Sequence, residues 1–358
     1  MKYFFLVIGV FMSALFIFNA QMDVAGFRTG EVYPLAGQQT ATQVMVSDRD
    51  YDQRSWVRAR LESACPETLL WGSSTLGTVS GEMLGAEDFL NGWLTGPTVE
   101  DLEAVAQMLI QGDCVPKNVI LGVDPFFVNP KVESSRWRTV KALQRAFTGG
   151  ASAFAWFDTV KSRWLRFTDL LAFQTTRDGV RLLRSGAGDA KGPHLVDDLT
   201  QFCAETAHTQ SVRHADGHFS YCARWVKTTG AVAEIARTYV QRDVHRMRSW
   251  RAVSEPRLER LRAVVAHLTE RGARVLLVAP TYHPLTYAAL RADPVIADLL
   301  DTLDAALAEL AAAPGVSWRT LRDPGSLGCP ATAFFDSHHP DPRCARRVGA
   351  AIAAALPE

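Results

Sequence analysis

Short apolar segments alternate with amphipathic helical patterns along much of the chain, and this alternation restricts the fold more than any other feature. Four segments have the composition of buried strands: ETLLWGSST (67–75), KNVILGVDP (117–125), ARVLLVAPTYHP (273–284) and the weaker VSWRTL (316–321). A fifth, FLNGWLTG (89–96), has the pattern of a short edge strand. Strands that alternate with helices form a parallel sheet covered on both faces. We therefore predict a three-layer α/β fold with its site at the carboxyl ends of the strands.

The alternation is interrupted between residues 131 and 256. This stretch has helical patterns, densest over residues 151–183. We predict that it is a helical insertion into a sheet domain formed by residues 56–130 and 257–358. Residues 131–260 contain 22 Lys and Arg against 13 Asp and Glu. This basic excess is either an ordinary solvated surface or a contact for anionic lipid headgroups or an acidic polymer.

The N-terminus is strongly apolar from Tyr3 to Ala20, and Lys2 precedes this run. We predict a transmembrane helix over residues 1–20 whose leading end stays in the cytoplasm, because the run is just long enough to cross a bilayer. A cleaved signal peptide is the alternative, but cleavage after Ala20 would place Phe18 where a small residue is needed. Either interpretation exports the rest of the chain. Residues 21–55 are polar at first and are predicted to be a linker.

Export gives the cysteines a different meaning, since an even number in an oxidising compartment indicates disulfides. The chain has six: Cys65, Cys114, Cys203, Cys222, Cys329 and Cys344. Six cysteines allow 15 pairings; their spacing favours pairing in sequential order without selecting it. No CxxC motif is present, which argues against a structural zinc site.

Polar residues capable of nucleophilic chemistry follow two of the predicted strands. Ser73 and Ser74 come directly after the first strand, where a tight turn can expose a hydroxyl beside backbone N–H groups. Near the C-terminus the sequence DSHHP places Asp336 three residues before His339. A serine nucleophile needs a base, and the base needs an orienting carboxylate. Asp336 and His339 can supply both within one turn.

Three further residues lie at predicted strand ends. Gly96 ends the edge-strand pattern, where its backbone N–H can approach an oxyanion; the alternative is an ordinary turn. Asp124 ends the strand at 117–125. His283 follows the strand at 273–284 and either lines the cleft or bonds to loop backbone.

The order of these blocks resembles the SGNH/GDSL hydrolase superfamily. The matching motifs are Gly-x-Ser at 72–74, Asn-x-x-x-x-Gly at 91–96, the strand ending at Asp124, and Asp-x-x-His-Pro at 336–340. The resemblance covers roughly residues 66–130 and 257–358. It implies a serine esterase or acyltransferase on a flavodoxin-like parallel sheet that needs no metal or cofactor.

The resemblance also implies roles for individual residues. It makes Ser74 the nucleophile, His339 the general base and Asp336 its orienting acid, and it gives the Gly96 N–H a place in the oxyanion hole. Asp124 stands where the family has an asparagine that donates to the oxyanion. An ionised carboxylate would repel that charge, so we expect reduced or altered activity unless burial protonates Asp124 or its role differs.

An anchor, an exported domain and a large insertion are similar to the branch of this superfamily that modifies cell-envelope polymers. That branch includes proteins of teichoic-acid D-alanylation and of alginate O-acetylation. The resemblance implies an acylated donor and an envelope polysaccharide as substrates, and a multispanning membrane-bound O-acyltransferase as a partner. It places the chain in the inner membrane as a single-pass protein with a periplasmic catalytic domain, and it gives no role to nucleic acid.

The fold implied by the resemblance favours particular cysteine pairs. Cys65 and Cys114 precede strands that neighbour one another in that fold. Cys329 and Cys344 flank the Asp-x-x-His loop, where a bridge would hold the base. Cys203 and Cys222 would close a loop inside the insertion.

The remaining candidates have weaker support. Only His339 matches the family's base, so we expect His338 to be a solvent-facing neighbour. His214 and His218 have i, i+4 spacing, but Gly217 between them argues against a metal-binding helix. Asn129 can reach the site only if its loop folds back, and Asp216 is a candidate for the substrate side of the insertion.

We expect an exported, membrane-anchored serine acyltransferase or esterase. The alternative is a binding or scaffolding protein that kept the fold and lost turnover, which Asp124 would favour. A phosphoryl-transfer enzyme on a similar sheet has less support, because the chain has no Gly-rich phosphate-binding loop.

Overall fold

The computed structural model describes residues 2–22, 32–47, 51–134, 136–149, 176, 180, 192–206, 211–223 and 226–356. The strands are β1 (Val44–Val46), β2 (Thr68–Trp71), β3 (Phe89–Asn91), β4 (Asn118–Gly122), β5 (His194–Val196), β6 (Ser211–Arg213), β7 (Phe219–Tyr221), β8 (Arg274–Ala279) and β9 (Val316–Thr320). The helices are α1 (Lys2–Met22), α2 (Val32–Gln38), α3 (Gln53–Ser63), α4 (Gly81–Leu84), α5 (Val99–Gln111), α6 (Pro125–Val128), α7 (Lys141–Phe147), α8 (Leu199–Glu205), α9 (Thr229–Arg237), α10 (Glu255–Glu270), α11 (Pro284–Ala292), α12 (Pro294–Leu310) and α13 (Pro342–Ala353).

The five predicted strands form one sheet, in the order β3-β2-β4-β8-β9, and every pair in it is parallel. Counted along the chain within this sheet, the order is 2-1-3-4-5, that of flavodoxin-like doubly wound sheets. The chain reverses its direction of travel between β2 and β4. In such sheets the crevice at this switch point, at the carboxyl ends of the strands, is the usual binding site.

Alternate residues of the strands face two separate hydrophobic clusters. On β2, Leu69 and Trp71 pack into a core shared with α3, α5, α10 and α12, whereas Leu70 faces the cluster that contains α4 and α13. β4 and β8 divide their side chains in the same way. Because successive side chains point to opposite faces of a strand, the sheet has helices on both sides. The predicted three-layer arrangement is confirmed at this level.

A second, antiparallel sheet changes the description of two predicted segments, the linker and the insertion. Its strand order is β5-β1-β6-β7, so it joins residues 44–46 to strands inside the insertion. Part of the predicted linker, 21–55, is therefore folded: α2 buries Val32 and Ala36 in the main core, and β1 belongs to this second sheet. The insertion is not purely helical, because β5, β6 and β7 lie within it. Its densest predicted helical part, 151–183, lies outside the described residues apart from 176 and 180.

The segment predicted as a membrane anchor forms α1. Among the helices of the described ranges, none combines the length and apolar character needed to span a membrane. The anchor is therefore unconfirmed.

The three predicted disulfides are present, joining Cys65 to Cys114, Cys203 to Cys222 and Cys329 to Cys344. The first links the end of α3 to the loop before β4. The second closes a loop in the insertion. The third joins the loop after β9 to the first turn of α13, on either side of the Asp-x-x-His motif. Three disulfides fit a domain that folds in an oxidising, extracytoplasmic compartment.

Candidate active site

A tight turn after β2 presents two serines with different environments. Ser73 has extended backbone and caps the short 3₁₀ turn Ser74–Leu76, its Oγ accepting from the Thr75 N–H at 3.1 Å. This cap fixes the direction in which the next residue leaves the strand. Ser73 is buried and Ser74 is half-buried. Of the two hydroxyls, only that of Ser74 bonds to a histidine.

The loop before α13 folds back on itself and carries Asp336 and His339. The Phe335 N–H donates to the His339 carbonyl at 2.8 Å, and the Asp341 N–H donates to the Ala333 carbonyl at 2.9 Å. Asp341 also caps α13, accepting from the backbone of its first turn. The Cys329–Cys344 bridge closes the base of the same loop. The loop is thus fixed by backbone hydrogen bonds, a helix cap and a covalent link.

Ser74, His339 and Asp336 form a continuous hydrogen-bonded chain. The Ser74 Oγ lies 2.8 Å from the His339 Nε2, and the His339 Nδ1 lies 2.7 Å from the Asp336 Oδ2. The other oxygen of Asp336 accepts from the backbone N–H groups of His338 and His339, each at 3.0 Å. With Nδ1 donating to the carboxylate, Nε2 is free to accept the serine proton. This is the geometry of an activated serine nucleophile.

The electrostatics keep Asp336 ionised. Burial by itself would raise the pKa of its carboxyl, but the charge and hydrogen bond of His339, with further help from His338, hold that pKa well below its usual range. An orienting acid that stays ionised holds the imidazole in one tautomer and stabilises the imidazolium when it forms.

Asp124 lies at the end of β4, across the switch point from the serine turn. Its side chain is fully buried. Its Oδ2 accepts from the Ser73 hydroxyl at 2.7 Å and from the Thr75 hydroxyl at 3.2 Å. Burial raises the pKa of the Asp124 carboxyl to about 6, against the opposing effect of the Ser73 bond and the Arg322 charge. Asp124 therefore holds Ser73 and Thr75, the two neighbours of Ser74, through hydrogen bonds.

Gly96 follows β3 in a left-handed conformation, with φ of +52°. Glycine adopts this region without the steric cost that a Cβ brings. The segment before it runs beside the serine turn, with Leu94 paired to Ser73 in a parallel bridge. The sequence resemblance assigns the Gly96 and Ser74 N–H groups to an oxyanion hole, and that assignment remains a prediction.

His283 supports the loop rather than the reacting atoms. It is buried, its Nδ1 accepts from the Leu285 N–H at 3.1 Å, and its backbone N–H donates to the Ser337 carbonyl at 3.1 Å. A backbone hydrogen bond to Ala331 holds the ring from the other side, although burial outweighs it and lowers the pKa of His283. The alternative in which this histidine bonds to loop backbone is the one observed.

The expectation for His338 is wrong. Its side chain is only 12 % exposed, and its ring lies 4.1 Å from that of His339. Asn129 does not reach the serine, because its amide bonds to the carbonyls of His245 and Arg246.

The β6–β7 hairpin packs beside His339, a contact that the sequence did not reveal. Phe219 packs edge-on against the His339 ring at 5.9 Å, and its N–H donates to the Gly77 carbonyl at 2.7 Å. Tyr221 packs against Phe335, and burial together with the Asp336 charge raises the pKa of Tyr221 to about 12. These aromatic rings pack against His339 and against Phe335, the residue before Asp336.

Asp216 and Gly217 attach this hairpin to the main sheet. The Asn91 N–H donates to the Asp216 carbonyl, and the Trp93 Nε1 donates to the Gly217 carbonyl. Gly217 has φ of +88°, and a Cβ there would lie 2.1 Å from the Asn91 carbonyl oxygen, so only glycine fits. Asp216 thus helps to dock the hairpin on the main sheet, and its predicted place on the substrate side stays a prediction.

Two groups of histidines invite a metal assignment. Within the described residues, the one group whose ligand atoms converge is Asp336, His338 and His339, with ligand atoms within 4.8 Å of one another. The His339 nitrogens in this group are already engaged by Ser74 and Asp336, which accounts for the convergence. His214 and His218 stack at 3.9 Å and bond to Ser220 and Asp216 respectively.

Comparison with protein-family models finds no match, and comparison with curated proteins finds no relative of significant sequence similarity.

Proposed function

We propose that the protein is an exported serine enzyme that transfers or hydrolyses an O-acyl group, as an SGNH-type acyltransferase or esterase does. The observation that carries the proposal is the unbroken chain from the Ser74 hydroxyl through His339 to the ionised Asp336. Its position at the switch point of a parallel sheet supports the proposal further.

The reaction follows from the geometry. Ser74 Oγ attacks the acyl carbonyl carbon while His339 Nε2 accepts its proton, and the negative charge develops on the carbonyl oxygen. His339 then protonates the leaving alkoxide, and an acyl-serine remains. Water or an acceptor hydroxyl reverses these steps and releases the acyl group. In this scheme the Ser74 and Gly96 N–H groups hold the oxyanion.

The rest of the proposal concerns setting and substrate. The disulfides support an extracytoplasmic site of action. We take α1 as the inner-membrane anchor, an envelope polysaccharide as the acyl acceptor or source, and a multispanning membrane-bound O-acyltransferase as the partner that delivers acyl groups. These assignments rest on the sequence resemblance.

A catalytically weak scaffold is the second candidate, and Asp124 favours it. Above pH 6 the Asp124 carboxylate adds negative charge next to the serine turn. An asparagine at this position would instead offer an amide N–H to the oxyanion. Losing one oxyanion donor typically lowers the rate by about 10²–10³.

Hydrolysis of p-nitrophenyl acetate by the full-length protein tests the two candidates. We expect Ser74→Ala to lower kcat/KM by at least about 10³-fold, as removal of a triad nucleophile does. Ser220→Ala is a matched control, because Ser220 also lies 2.8 Å from a histidine nitrogen, that of His214, outside the triad. Hydrolysis that survives in Ser74→Ala would reject the catalytic assignment. Absence of hydrolysis in the native chain, with no labelling of Ser74 by a fluorophosphonate, would favour the scaffold.

A further inference from the structure

A second pair of imidazoles lies beside the triad. The His338 ring is 4.1 Å from that of His339, and the His245 ring is 5.1 Å from that of His338. Phe126, which follows Asp124 by two residues, packs on His245 at 4.5 Å. His245 comes from the insertion, so the row of three rings joins the insertion to the catalytic loop.

The backbone that presents His245 is strained. Four non-glycine residues have positive φ within the described residues, and three of them are Asp243, His245 and Arg246. Residues with a side chain seldom adopt a left-handed conformation, because the Cβ comes too close to the following carbonyl oxygen. The Asn129 amide holds the carbonyls of His245 and Arg246, and the Tyr239 hydroxyl bonds to His245 Nδ1 at 2.8 Å. Strain that is fixed from several sides is typical of functional sites.

Both imidazoles keep one nitrogen uncommitted. His338 uses Nδ1 for the Ser337 hydroxyl at 2.9 Å, as His245 uses Nδ1 for Tyr239. Neither Nε2 has a hydrogen-bond partner in the part of the chain that the structure describes, and neither ring is fully buried.

The charge state of the pair narrows what it can bind. Burial, followed by the nearby charge of His339, lowers the pKa of His245 to about 4 and holds that of His338 well below its usual range. Both rings are therefore neutral at neutral pH. A neutral imidazole can donate to or accept from a hydroxyl, but it offers no charge to pair with an anion.

We propose that His338 and His245 form an acceptor subsite that binds the hydroxyl groups of a sugar beside His339. This inference rests on the proposed acyl transfer. In the second half of the reaction, the sugar hydroxyl gives its proton to His339 Nε2 while its oxygen bonds to the acyl carbon. The bond from that carbon to Ser74 Oγ then breaks, and the proton passes from His339 to Ser74. The subsite favours this acceptor over water by holding it in place.

The test measures how acyl groups partition between sugar and water. The full-length protein is given p-nitrophenyl acetate as donor and cellotetraose as acceptor probe, and acetylated sugar is counted against free acetate by mass spectrometry. His245→Asn is the main variant, because asparagine tolerates the left-handed backbone. We expect the ratio of transfer to hydrolysis to fall by roughly three- to tenfold, the loss of one neutral hydrogen bond. His194→Asn is the matched control; His194 is also a half-buried histidine of the insertion, and its variant keeps the native ratio.

Tyr239→Phe provides a second variant that leaves the backbone untouched. It removes only the hydroxyl that fixes His245, and we expect about a threefold fall in the ratio. An unchanged ratio in both variants, even with slower turnover, overturns the subsite and makes His245 purely structural. A native protein that releases acetate but transfers none to cellotetraose also overturns it. A native protein without Ser74-dependent acetate release instead rejects the proposed function.

Discussion

Two aspartates lie on either side of Ser74, and the protein treats them in opposite ways. Asp336 is in a loop, accepts two backbone N–H bonds and faces an imidazole. Asp124 is at the end of a central strand, fully buried, and accepts only from hydroxyl groups. Charged or fixed donors lower the pKa of the first, whereas burial raises that of the second to about 6. Asp336 is therefore ionised at ordinary pH, whereas Asp124 changes its charge near pH 6.

The contrast also predicts opposite effects on stability. The pKa of Asp336 is lower in the folded state than in the unfolded chain, so Asp336 stabilises the fold above pH 4 and less so as the pH falls. The pKa of Asp124 is higher in the folded state, so its cost appears as the pH rises from about 4 through about 6.

Asp336→Asn should abolish most of the proposed catalytic activity. The amide cannot hold His339 in the required tautomer or stabilise its charge, so we expect kcat to fall by about 10⁴-fold. The measurement is short-ester hydrolysis at pH 7.5. Asp341→Asn is the control, because Asp341 is a carboxylate of the same loop that caps α13 without touching His339. A loss below about tenfold in Asp336→Asn would show that Asp336 does not orient the base.

Removing the Cys329–Cys344 bridge tests whether the loop of Asp336 depends on its covalent closure. For a separation of 15 residues, the chain-entropy estimate is about 3 kcal/mol of unfolding free energy. We expect the double serine variant to lose that stability and also turnover, because a looser loop positions His339 less well. Chemical denaturation and ester hydrolysis provide the two readouts.

The Cys203–Cys222 bridge is the matched control for that variant. It spans 19 residues within the insertion, so its removal should cost similar stability and much less turnover. Equal losses of turnover in the two variants would contradict a specific role for the Cys329–Cys344 bridge.

Asp124→Asn should remove the cost of ionising the buried Asp124 carboxyl. Raising a carboxyl pKa from its ordinary value to about 6 costs between about 2 and 3 kcal/mol once the group ionises. We expect the variant to gain that stability at pH 8 and nothing at pH 4, as measured by urea denaturation at both values. Its kcat should also lose any decline between pH 6 and 8, because the amide carries no charge. A variant that is less stable than the native chain at pH 8 would show that the ionised carboxylate is stabilising.

Ser73→Ala should have the smallest effect, a further rise in the pKa of Asp124 and a small loss of stability. It removes a hydroxyl that favours the ionised form of Asp124, so the pKa of that carboxyl rises further and about 1 kcal/mol of stability is lost near neutral pH. Stability should still begin to decline near pH 4, but the decline should extend to a higher pH than in the native chain, which denaturation across pH 4–8 measures. A decline that ends at the same or a lower pH would mean that Ser73 does not donate to Asp124.

The sequence predicted the parts of this molecule that depend on local pattern. The strands of the parallel sheet have apolar runs with clear turn residues after them, and the Asp-x-x-His loop carries its partners within four residues. The antiparallel sheet was missed because its strands have only three residues each, and because β1 pairs with β5 and β6 across long separations. Three residues are too few to show an alternating pattern.

Two features of the site also escaped, for a different reason. The environment of Asp124 depends on burial and on hydroxyls from the turn after β2, neither of which the sequence around Asp124 shows. His245 lies in the polar segment QRDVHRMRSW, with no apolar period and no motif. Its place beside His338 is created only by the folding of the insertion over the Asp-x-x-His loop.

The pairing of β1 has a consequence for how the protein is made. Met45 pairs with Leu195, about 150 residues later in the chain. At ribosomal rates of roughly 5–20 residues per second, β1 waits on the order of 10–30 s for its neighbour to be synthesised. During that interval this apolar strand has open edges on both sides, where another chain could pair with it. Nascent β1 is therefore exposed to aggregation until β5 and β6 have been made.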